Sequence, residues 1–381
     1  MTQPTRVFIA GGGGIGRALG LLLRHEPSLP CHVVLGDLSI EVAQDAAEYA
    51  SAGGSAPAAE AIAMPAEGST EELDAVLEKA DAILDCLPGS QAPRMAQLAR
   101  DHGCHYLNLT EYVAETNAVL EIAQGADTCF ALQCGLAPGY INVLAHHLFQ
   151  SAMSEWGATR AERIRMRVGA LTEHATAPHY YGWTWSTVGV ATEYVKPAIA
   201  VRNGKTVELP SLTEREVLLI EGQPYEEALT SGGAADLPQA LAGKVVDLDY
   251  KTLRFVGHYD WVDTQLEGLA EGPGKPAALL ERMEAAIPHC DDDQVVIYAD
   301  VEAKDSRGQL RSKKGALVVP PLELAGHRLR AIQSTTAAGI AEVLHLIVME
   351  QRRGPLLMSQ IPTAAFLNGP FCRLAYGEIK L

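Results

Sequence analysis

The chain has 381 residues, which is enough for two domains or one large α/β unit. Hydrophobic residues make up 48% and charged residues 20%, a globular composition that excludes a disordered chain. The net charge of −17 repels phosphate backbones and anionic lipid, so we expect neither nucleic acid nor membrane as a partner.

The first third of the chain alternates short apolar runs with helical periods. This alternation predicts βαβ units around a parallel sheet whose strands are buried on both faces. The predicted strands cover residues 7–10, 32–35, 82–87, 106–109 and 130–132, and the predicted helices cover residues 15–23, 40–50, 93–102 and 116–123. We therefore expect an N-terminal Rossmann domain, a doubly wound parallel sheet.

The pattern changes after about residue 160. Residues 163–168 alternate strictly between arginine and apolar side chains, which predicts a strand with one solvated face. Residues 199–209 predict a hairpin around Asn203-Gly204, a preferred type I′ turn. Further strands are predicted at 252–259, 295–301 and 317–319, a loop at 223–236 and a long helix at 335–351. This part predicts an α+β domain with a mainly antiparallel sheet.

The segment Gly11-Gly12-Gly13-Gly14-Ile15-Gly16 fits the dinucleotide-binding pattern G-x-G-x-x-G. A predicted strand precedes it, a predicted helix follows it, and Asp37 ends the next strand 21 residues after Gly16. Gly11 would permit the tight turn, Gly13 the approach of a pyrophosphate and Gly16 the close packing of the helix. The alternative is a glycine-rich turn that binds nothing.

The choice of cofactor follows from Asp37. A carboxylate there accepts hydrogen bonds from the ribose hydroxyls and repels a 2′-phosphate, and Leu38-Ser39 supplies no arginine to neutralise one. We therefore expect NAD, with NADP less favoured. Leu87 and Pro88 follow the strand at 82–87 and are expected beside the ribose and nicotinamide, unless they form an ordinary turn.

The remaining polar residues indicate no metal site, because no histidine, cysteine or acidic cluster has ligand spacing. Seven cysteines without regular spacing are typical of reduced thiols. Residues 1–10 enter a strand pattern without a charged and apolar leader, so we expect a cytoplasmic protein. Glu111, just past the strand at 106–109, is either a catalytic carboxylate or the first-turn acid of the next helix.

The segment that carries a family resemblance is Gln133-Cys134-Gly135-Leu136-Ala137-Pro138-Gly139. This segment resembles the Pro-Gly segment after the sixth Rossmann strand in the saccharopine dehydrogenase family, which includes saccharopine reductases, lysine 6-dehydrogenases and carboxynorspermidine dehydrogenases. The lysine-dehydrogenase-like branch is similar in three further stretches: Thr184-Trp185-Ser186 with Glu193-Tyr194, Thr230-Ser231-Gly232-Gly233, and residues 250–258.

The resemblance covers nearly the whole chain. It implies a Rossmann domain in residues 1–135, completed by the C-terminal helix region 332–381. Residues 136–331 would form a substrate-binding and dimerisation domain whose sheet makes the subunit contact. One departure stands out, because many relatives carry an acidic residue just before the Pro-Gly pair, where this chain has Gln133-Cys134 and Ala137.

The implied chemistry is oxidation of an amine carbon, or reduction of an imine. Hydride leaves the carbon next to the nitrogen, and the nitrogen lone pair drives its departure. An ammonium group has no free lone pair, so a base must first remove its proton. The candidates are Lys251 and His258, ranked slightly ahead of Glu111. Lysine would need desolvation or a neighbouring cation to act as a base, whereas histidine needs no such tuning. The structural alternatives are a solvated strand lysine and a strand-end histidine bonded to a carbonyl group.

An amino-acid substrate also needs its carboxylate held. Arg254 could bind it bidentately, and the N–H groups of Ser231, Gly232 and Gly233 could form an anion nest next to Thr230, a further candidate substrate contact. The alternative is a plain glycine turn before a helix. By resemblance, the substrate site would also include Gln133, Cys134, Gly135, Ala137 and Pro138.

These observations predict an NAD-dependent oxidoreductase of an amino-acid-derived amine, similar to saccharopine reductase or lysine 6-dehydrogenase. By resemblance it would be a homodimer. Two alternatives stay open, a carboxynorspermidine-type polyamine dehydrogenase and a catalytically silent NAD-binding protein.

Overall fold

The computed structural model describes residues 3–54, 57–111 and 113–379. The chain divides into two compact units. The first unit comprises Met1–Tyr140, Leu322–Leu329 and Gln333–Glu378. The second unit comprises Ile141–Pro321, Arg330–Ile332 and Ile379–Leu381.

The elements alternate between strand and helix up to residue 131, then become mainly strands, and end in helices. The first part contains β1 (Thr5–Ala10), α1 (Gly14–His25), β2 (Cys31–Asp37), α2 (Ile40–Ser51), β3 (Glu60–Ala63), α3 (Glu71–Leu77), β4 (Ala82–Asp85), α4 (Ala92–His102), β5 (His105–Asn108), α5 (Val113–Ile122) and β6 (Cys129–Ala131). The middle part contains α6 (Tyr140–Trp156), β7 (Ala161–Thr172), α7 (Thr187–Val195), β8 (Ala198–Arg202), β9 (Lys205–Leu209), β10 (Glu216–Ile220), β11 (Gln223–Leu229), α8 (Leu237–Leu241), β12 (Val245–Phe255), α9 (His258–Leu266), α10 (Lys275–Glu284), β13 (Asp293–Lys304) and β14 (Leu310–Val319). The last part contains β15 (Leu322–Leu324), β16 (His327–Leu329), α11 (Ala331–Glu350), β17 (Gly354–Leu356), α12 (Thr363–Leu367) and α13 (Pro370–Tyr376).

The sheet of the first unit has, within the described ranges, seven parallel strands in the order β17-β6-β5-β4-β1-β2-β3. This order confirms the predicted Rossmann sheet. Alternate residues serve opposite faces: Phe8 and Ala10 pack in one core with side chains of α3, α4 and α5, whereas Val7 and Ile9 are buried outside that cluster. Strands β3 and β17 and helix α3 were not predicted.

The sheet of the second unit has eight strands among the described residues. Its pairs are antiparallel except for β7 with β12, which confirms the predicted mainly antiparallel sheet. The predicted hairpin is also confirmed, because β8 and β9 are joined at Asn203 (φ 52°) and Gly204 (φ 79°), as a type I′ turn requires.

Three expectations for this sheet were wrong. Residues 223–229 are strand β11, paired on both sides, and not a loop. Strand β12 ends at Phe255, and Gly257 (φ 101°) turns the chain so that His258 starts helix α9. The arginine face of β7 is not simply solvated, because Arg167 is only 1% exposed and is held in ion pairs.

Helix α11 starts at a buried carboxylate. Asp293 accepts hydrogen bonds from the N–H groups of Ala331 (2.7 Å) and Ile332 (2.9 Å), which satisfies donors that every helix start exposes. Among the described residues, α11 is the one helix whose length and composition would suffice to cross a membrane, and 72% of its most apolar window is buried inside the structure. A mostly buried apolar helix is also what the core of a globular protein contains.

Candidate functional site

The glycine-rich loop joins β1 to α1. Gly11 has φ 103°, and its N–H group donates to the carbonyl oxygen of Gly36 at 2.7 Å. A Cβ atom on Gly16 would lie 1.8 Å from the carbonyl oxygen of Gly11, so any larger residue would push the helix away from the loop. A Cβ atom on Gly13 would meet no heavy atom of the described chain within 4 Å beyond its own neighbours. Gly13 therefore faces open space, where a pyrophosphate is expected.

The start of α1 suits an anion. Gly13 is the residue before the first turn, and no described side chain caps that end of the twelve-residue helix. Gly14 and Ile15 form the first turn and are partly exposed. Uncapped N–H groups at the positive end of a helix bind phosphate, so the residues present fit the pyrophosphate of a dinucleotide.

Asp37 lies directly beside this loop, at the end of β2. Its Oδ2 atom accepts a hydrogen bond from the N–H group of Gly12 at 2.8 Å, and its Oδ1 atom accepts one from Ser39 at 3.3 Å. The next residue, Leu38, is 66% exposed. The carboxylate thus lies where the acid of a Rossmann fingerprint meets the adenosine ribose.

The end of β4 lies against the same loop. A Cβ atom on Gly11 would be 3.1 Å from the carbonyl oxygen of Cys86 and 3.3 Å from Cδ2 of Leu87. The N–H group of Leu87 donates to Oδ1 of Asp85 at 3.0 Å, and Pro88 follows at the surface. The structure therefore brings the two predicted cofactor-binding segments together.

The predicted substrate segment of the first unit, residues 133–138, occupies the same sheet edge. The N–H group of Cys134 donates to the carbonyl oxygen of Asn108 at 2.9 Å, which ties this segment to the end of β5. Glu111 lies three residues beyond Asn108 and is half-buried. Strands β1, β4, β5 and β6 are neighbours in a parallel sheet, so their carboxyl ends share one edge.

The segment itself is a tight, mostly buried turn. The N–H group of Tyr140 donates to the carbonyl oxygen of Gly135 at 2.9 Å, and a Cβ atom on Gly139 would lie 2.0 Å from that oxygen. Pro138 is buried and Ala137 partly so. Burial raises the pKa of the Cys134 thiol well above its usual range, so this cysteine stays protonated and is a poor nucleophile.

Lys251 of β12 belongs to a buried ion-pair network. Its Nζ atom lies 3.1 Å from Oε1 of Glu227 and donates to the carbonyl oxygen of Glu214 at 2.6 Å. Glu227 also binds Arg167 through two hydrogen bonds, at 2.7 and 3.0 Å, and Arg167 reaches Asp249 at 2.6 Å. The alternative of a solvated strand lysine is wrong, because Lys251 is 3% exposed.

Arg254 projects from the opposite face of β12, because residues three apart in a strand alternate sides. Its guanidinium donates to Oε1 of Glu193 at 2.9 Å and to the hydroxyl of Tyr194 at 2.6 Å, and stacks 4.7 Å above the ring of Tyr181. Burial raises the pKa of Glu193 to about 7, against the attraction of Arg254. Binding of a substrate carboxylate by Arg254 stays a prediction and would require Glu193 to give way.

His258 completes this second cluster. Its Nε2 atom lies 2.9 Å from the hydroxyl of Tyr194, and its Nδ1 atom lies 2.6 Å from the carbonyl oxygen of His179. Burial, with the charge of Arg254, lowers the pKa of His258 to about 3, so the ring is neutral near pH 7. Lys251 and His258 therefore belong to separate clusters, each already engaged with protein groups.

The predicted anion nest at Ser231, Gly232 and Gly233, with Thr230 just before it, lies against the Arg254 cluster. The hydroxyl of Thr230 is 2.6 Å from that of Thr252, and Gly232 has φ 91°. The N–H group of Ser231 donates to the carbonyl oxygen of Glu193 at 3.1 Å, so it is already used inside the protein. The turn therefore positions Glu193 and does not present all of its N–H groups to a ligand.

The sequence analysis did not identify the buried polar residues that lie near the candidate sites of the two units. In the first unit, Asp85 and Asn108 are buried at the carboxyl ends of β4 and β5, and the buried Tyr106 lies two residues before Asn108. Polar residues within the apolar runs 82–87 and 106–109 were the available signal. In the second unit, Glu193 is a buried acid on helix α7, and Arg167 is a buried cation on the alternating strand β7.

Comparisons with known proteins agree with this geometry. Residues 7–128 match the model of the saccharopine dehydrogenase NADP binding domain, and residues 135–371 match that of the saccharopine dehydrogenase C-terminal domain. The fold and the glycine loop define an NAD(P)-binding oxidoreductase of the Rossmann class. More specifically, the chain belongs to the saccharopine dehydrogenase family.

Curated relatives include mitochondrial alpha-aminoadipic semialdehyde synthases. The rat protein is 27% identical over 143 residues, or 36% of this chain, and the mouse protein is 28% identical over 173 residues, or 42%. The matched region spans only 15% and 18% of the length of those relatives.

Solved structures share the fold. Saccharopine dehydrogenase (L-Glu forming) from Saccharomyces cerevisiae matches with a TM-score of 0.74 at 14% identity, over 94% of this chain and 95% of that one. A homospermidine synthase from Legionella pneumophila, solved in complex with NAD, matches with a TM-score of 0.68 at 12% identity, over 98% and 90% of the two chains. At these identities the likeness shows the fold alone.

Proposed function

We propose that this protein is an NAD-dependent dehydrogenase that oxidises a C–N bond of an amino-acid-derived amine, or reduces the corresponding imine. The observation that carries the proposal is the match of both family domains over nearly the whole chain, on a glycine loop whose Gly13 is open to a ligand. A saccharopine reductase or lysine 6-dehydrogenase activity is the first choice. We further propose a cytoplasmic homodimer, on the cysteine usage and the family resemblance.

The Rossmann edge would hold the cofactor. Gly11, Gly13 and the first turn of α1 would take the pyrophosphate, and Asp37 would take the adenosine ribose. Leu87 would lie along the remainder of the dinucleotide. When bound there, a nicotinamide accepts hydride from the substrate carbon.

The proton must leave the amine before hydride leaves its carbon. Of the three proposed bases, Glu111 has the strongest support, because it lies at the same sheet edge as the glycine loop. Lys251 on β12 and His258 at the start of α9 belong to the second unit. We propose that Glu111 takes the ammonium proton and leaves the amine lone pair to drive hydride transfer.

Direct assay tests the proposed reaction. Purified protein would be mixed with NAD⁺ and with lysine, saccharopine, related amino acids and polyamines at alkaline pH, and reduced nicotinamide followed by its absorbance. Turnover of an amino-acid amine supports the proposal, whereas turnover of polyamines alone would favour the carboxynorspermidine-type alternative. NAD⁺ binding without turnover of any amine would instead identify a silent NAD-binding protein.

Replacing Asp37 by asparagine tests the preference for NAD. The amide still accepts the hydrogen bond from Gly12, but it no longer repels a 2′-phosphate or accepts ribose hydroxyls as strongly. We expect the ratio of NAD⁺ to NADP⁺ efficiency (kcat/KM) to fall about tenfold or more, the size of one charged hydrogen bond. The Asp45→Asn variant removes the same charge from the exposed face of α2 and should keep the wild-type ratio. An unchanged ratio in Asp37→Asn would refute the ribose assignment.

Replacing Glu111 by glutamine tests the base. The amide keeps the shape of the side chain but cannot take a proton, so kcat should fall about 100-fold or more while NAD⁺ affinity stays at the wild-type value. The matched control is Glu121→Gln, an exposed carboxylate on α5. Equal kcat in wild type and Glu111→Gln would return the role to Lys251 or His258.

A further inference from the structure

Three buried polar side chains lie on the neighbouring strands β4 and β5 and are joined by hydrogen bonds to one another. Asp85 ends β4 and is 3% exposed, while Tyr106 and Asn108 lie on β5 and are 0% and 1% exposed. Uncompensated burial of such groups costs free energy, so each needs a partner. Their partners lie in the two loops assigned above to cofactor and substrate.

The hydrogen bonds run in one chain from loop to loop. The hydroxyl of Tyr106 donates to Oδ2 of Asp85 at 2.7 Å, while Oδ1 of Asp85 accepts the N–H group of Leu87 at 3.0 Å. On the other side, Nδ2 of Asn108 lies 3.5 Å from the hydroxyl of Tyr106, and Oδ1 of Asn108 accepts the N–H group of Gln133 at 2.9 Å. The carbonyl oxygen of Ala92, at 3.1 Å, competes for the single hydroxyl proton, and the carboxylate is nearer.

The last residue in this row of hydrogen bonds, Gln133, has a strained backbone. Gln133 has φ 65°, a conformation that costs a non-glycine residue free energy and persists only when neighbours enforce it. Asn108 enforces it with two bonds, one from its side chain to Gln133 and one from its backbone oxygen to Cys134 at 2.9 Å. Strain of this kind next to a candidate site indicates a conformation kept for binding.

We propose that Asp85 is a positioning residue that acts through Tyr106 and Asn108 to hold the Leu87 loop and the Gln133 segment in the geometry that receives the dinucleotide and substrate. The inference rests on the proposed placement of both ligands at this edge. Asp85 itself needs no contact with either ligand. Its ionised carboxylate accepts from Tyr106 and from Leu87 through separate oxygens.

The proposal carries a pH dependence. Burial raises the pKa of Asp85 to about 6, although the hydrogen bonds from Tyr106 and Leu87 and the charge of Arg94 lower it. Two further titratable groups lie beside it, the phenol of Tyr106 and the thiol of Cys86. Burial raises the pKa of each, and the charge of Asp85 raises it further, so both stay neutral. Below about pH 6 the protonated carboxyl loses one acceptor, and both loops should loosen.

Cofactor affinity tests the proposal without any need for turnover. NAD⁺ binding and thermal stability would be measured between pH 5 and 8 for wild type, Asp85→Asn and Tyr106→Phe. We expect wild-type affinity to fall below about pH 6, and both variants to bind about tenfold more weakly at pH 7.5. Affinity in Asp85→Asn should be flat across this range. The double variant should be no weaker than either single one, because both break the same chain.

The matched control is Tyr298→Phe, which removes a tyrosine–aspartate bond of 3.1 Å, to Asp300, in the second unit. It should leave NAD⁺ affinity and its pH profile unchanged. If Asp85→Asn and Tyr106→Phe are less stable but keep the wild-type NAD⁺ affinity and pH profile, the proposal is overturned. The row of hydrogen bonds would then serve only the packing of the fold. Loss of amine turnover alone bears on the proposed function and leaves these binding results intact.

Discussion

Replacing Arg167 by alanine is expected to lower the free energy of unfolding by about 3–5 kcal/mol, because it leaves two buried carboxylates without their shared cationic partner. Arg167 is 1% exposed and binds Glu227 at 2.7 and 3.0 Å and Asp249 at 2.6 Å. Lys251 and Arg202 cannot fully compensate, since each reaches only one of the two acids. Denaturant unfolding followed by circular dichroism measures the loss.

A nearby arginine supplies the control. Arg163 lies on the same strand, pairs with Glu302 at 2.9 Å and has a side chain that is 42% exposed. Because solvent screens this pair, Arg163→Ala should cost at most about 1 kcal/mol. Equal losses in the two variants would contradict the role given to burial.

The dependence of the free energy of unfolding on pH in the acidic range should change when Arg167 is removed. Burial alone would raise the pKa of Glu227 and of Asp249, but the charge of Arg167, aided by Lys251, holds both below the usual range. Carboxylates with a lowered pKa stabilise the fold above their unfolded pKa and lose that contribution as the pH falls. Wild type should therefore weaken below about pH 4. In Arg167→Ala burial is less opposed and the folded carboxyls hold protons more tightly, so the stability gap between variant and wild type should narrow as the pH falls.

Replacing Gly16 by alanine should abolish dinucleotide binding together with the stability of the first unit. The new Cβ atom would lie 1.8 Å from the backbone oxygen of Gly11, and no side-chain rotation can relieve a backbone clash. We expect no measurable NAD⁺ affinity by calorimetry and a clearly lower melting temperature.

Gly13→Ala separates binding from folding. Gly13 has φ −66° and open space around its Cβ position, so alanine should fold with wild-type stability. Its methyl group would occupy the path of the pyrophosphate, and NAD⁺ affinity should fall about 100-fold, or about 2.7 kcal/mol. Full affinity in Gly13→Ala would show that the dinucleotide does not cross this loop.

Local patterns account for what the sequence could predict. The loop from Gly11 to Gly16, with Asp37 one strand later, combines turn chemistry and apolar periodicity within 27 residues, and the structure brings these residues together. The hairpin at Asn203-Gly204 was equally local, because its turn type demands φ > 0 at both positions. The match of both domains then confirmed the family that the Pro-Gly segment suggested.

Distant partners account for what it could not. Strand β11 resembles a polar loop because Glu226 and Glu227 become buried only through the N–H group of Tyr259 and through Arg167, 33 and 60 residues away. Likewise, the pairing of Arg254 with Glu193 spans 61 residues. No short window of sequence contains both members of such a pair. The sequence analysis therefore assigned Arg254 to a substrate carboxylate and did not anticipate its pairing with Glu193.

The last strand of the Rossmann sheet has a consequence for how the protein is made. Strand β17 pairs with β6, so residues 354–356 complete a sheet that begins at Thr5. During synthesis, the earlier strands of this sheet must wait for residues 354–356 with one edge of β6 unpaired. A chaperone-accessible, aggregation-prone intermediate is thus expected throughout synthesis, and truncation just before Gly354 should leave that edge permanently open.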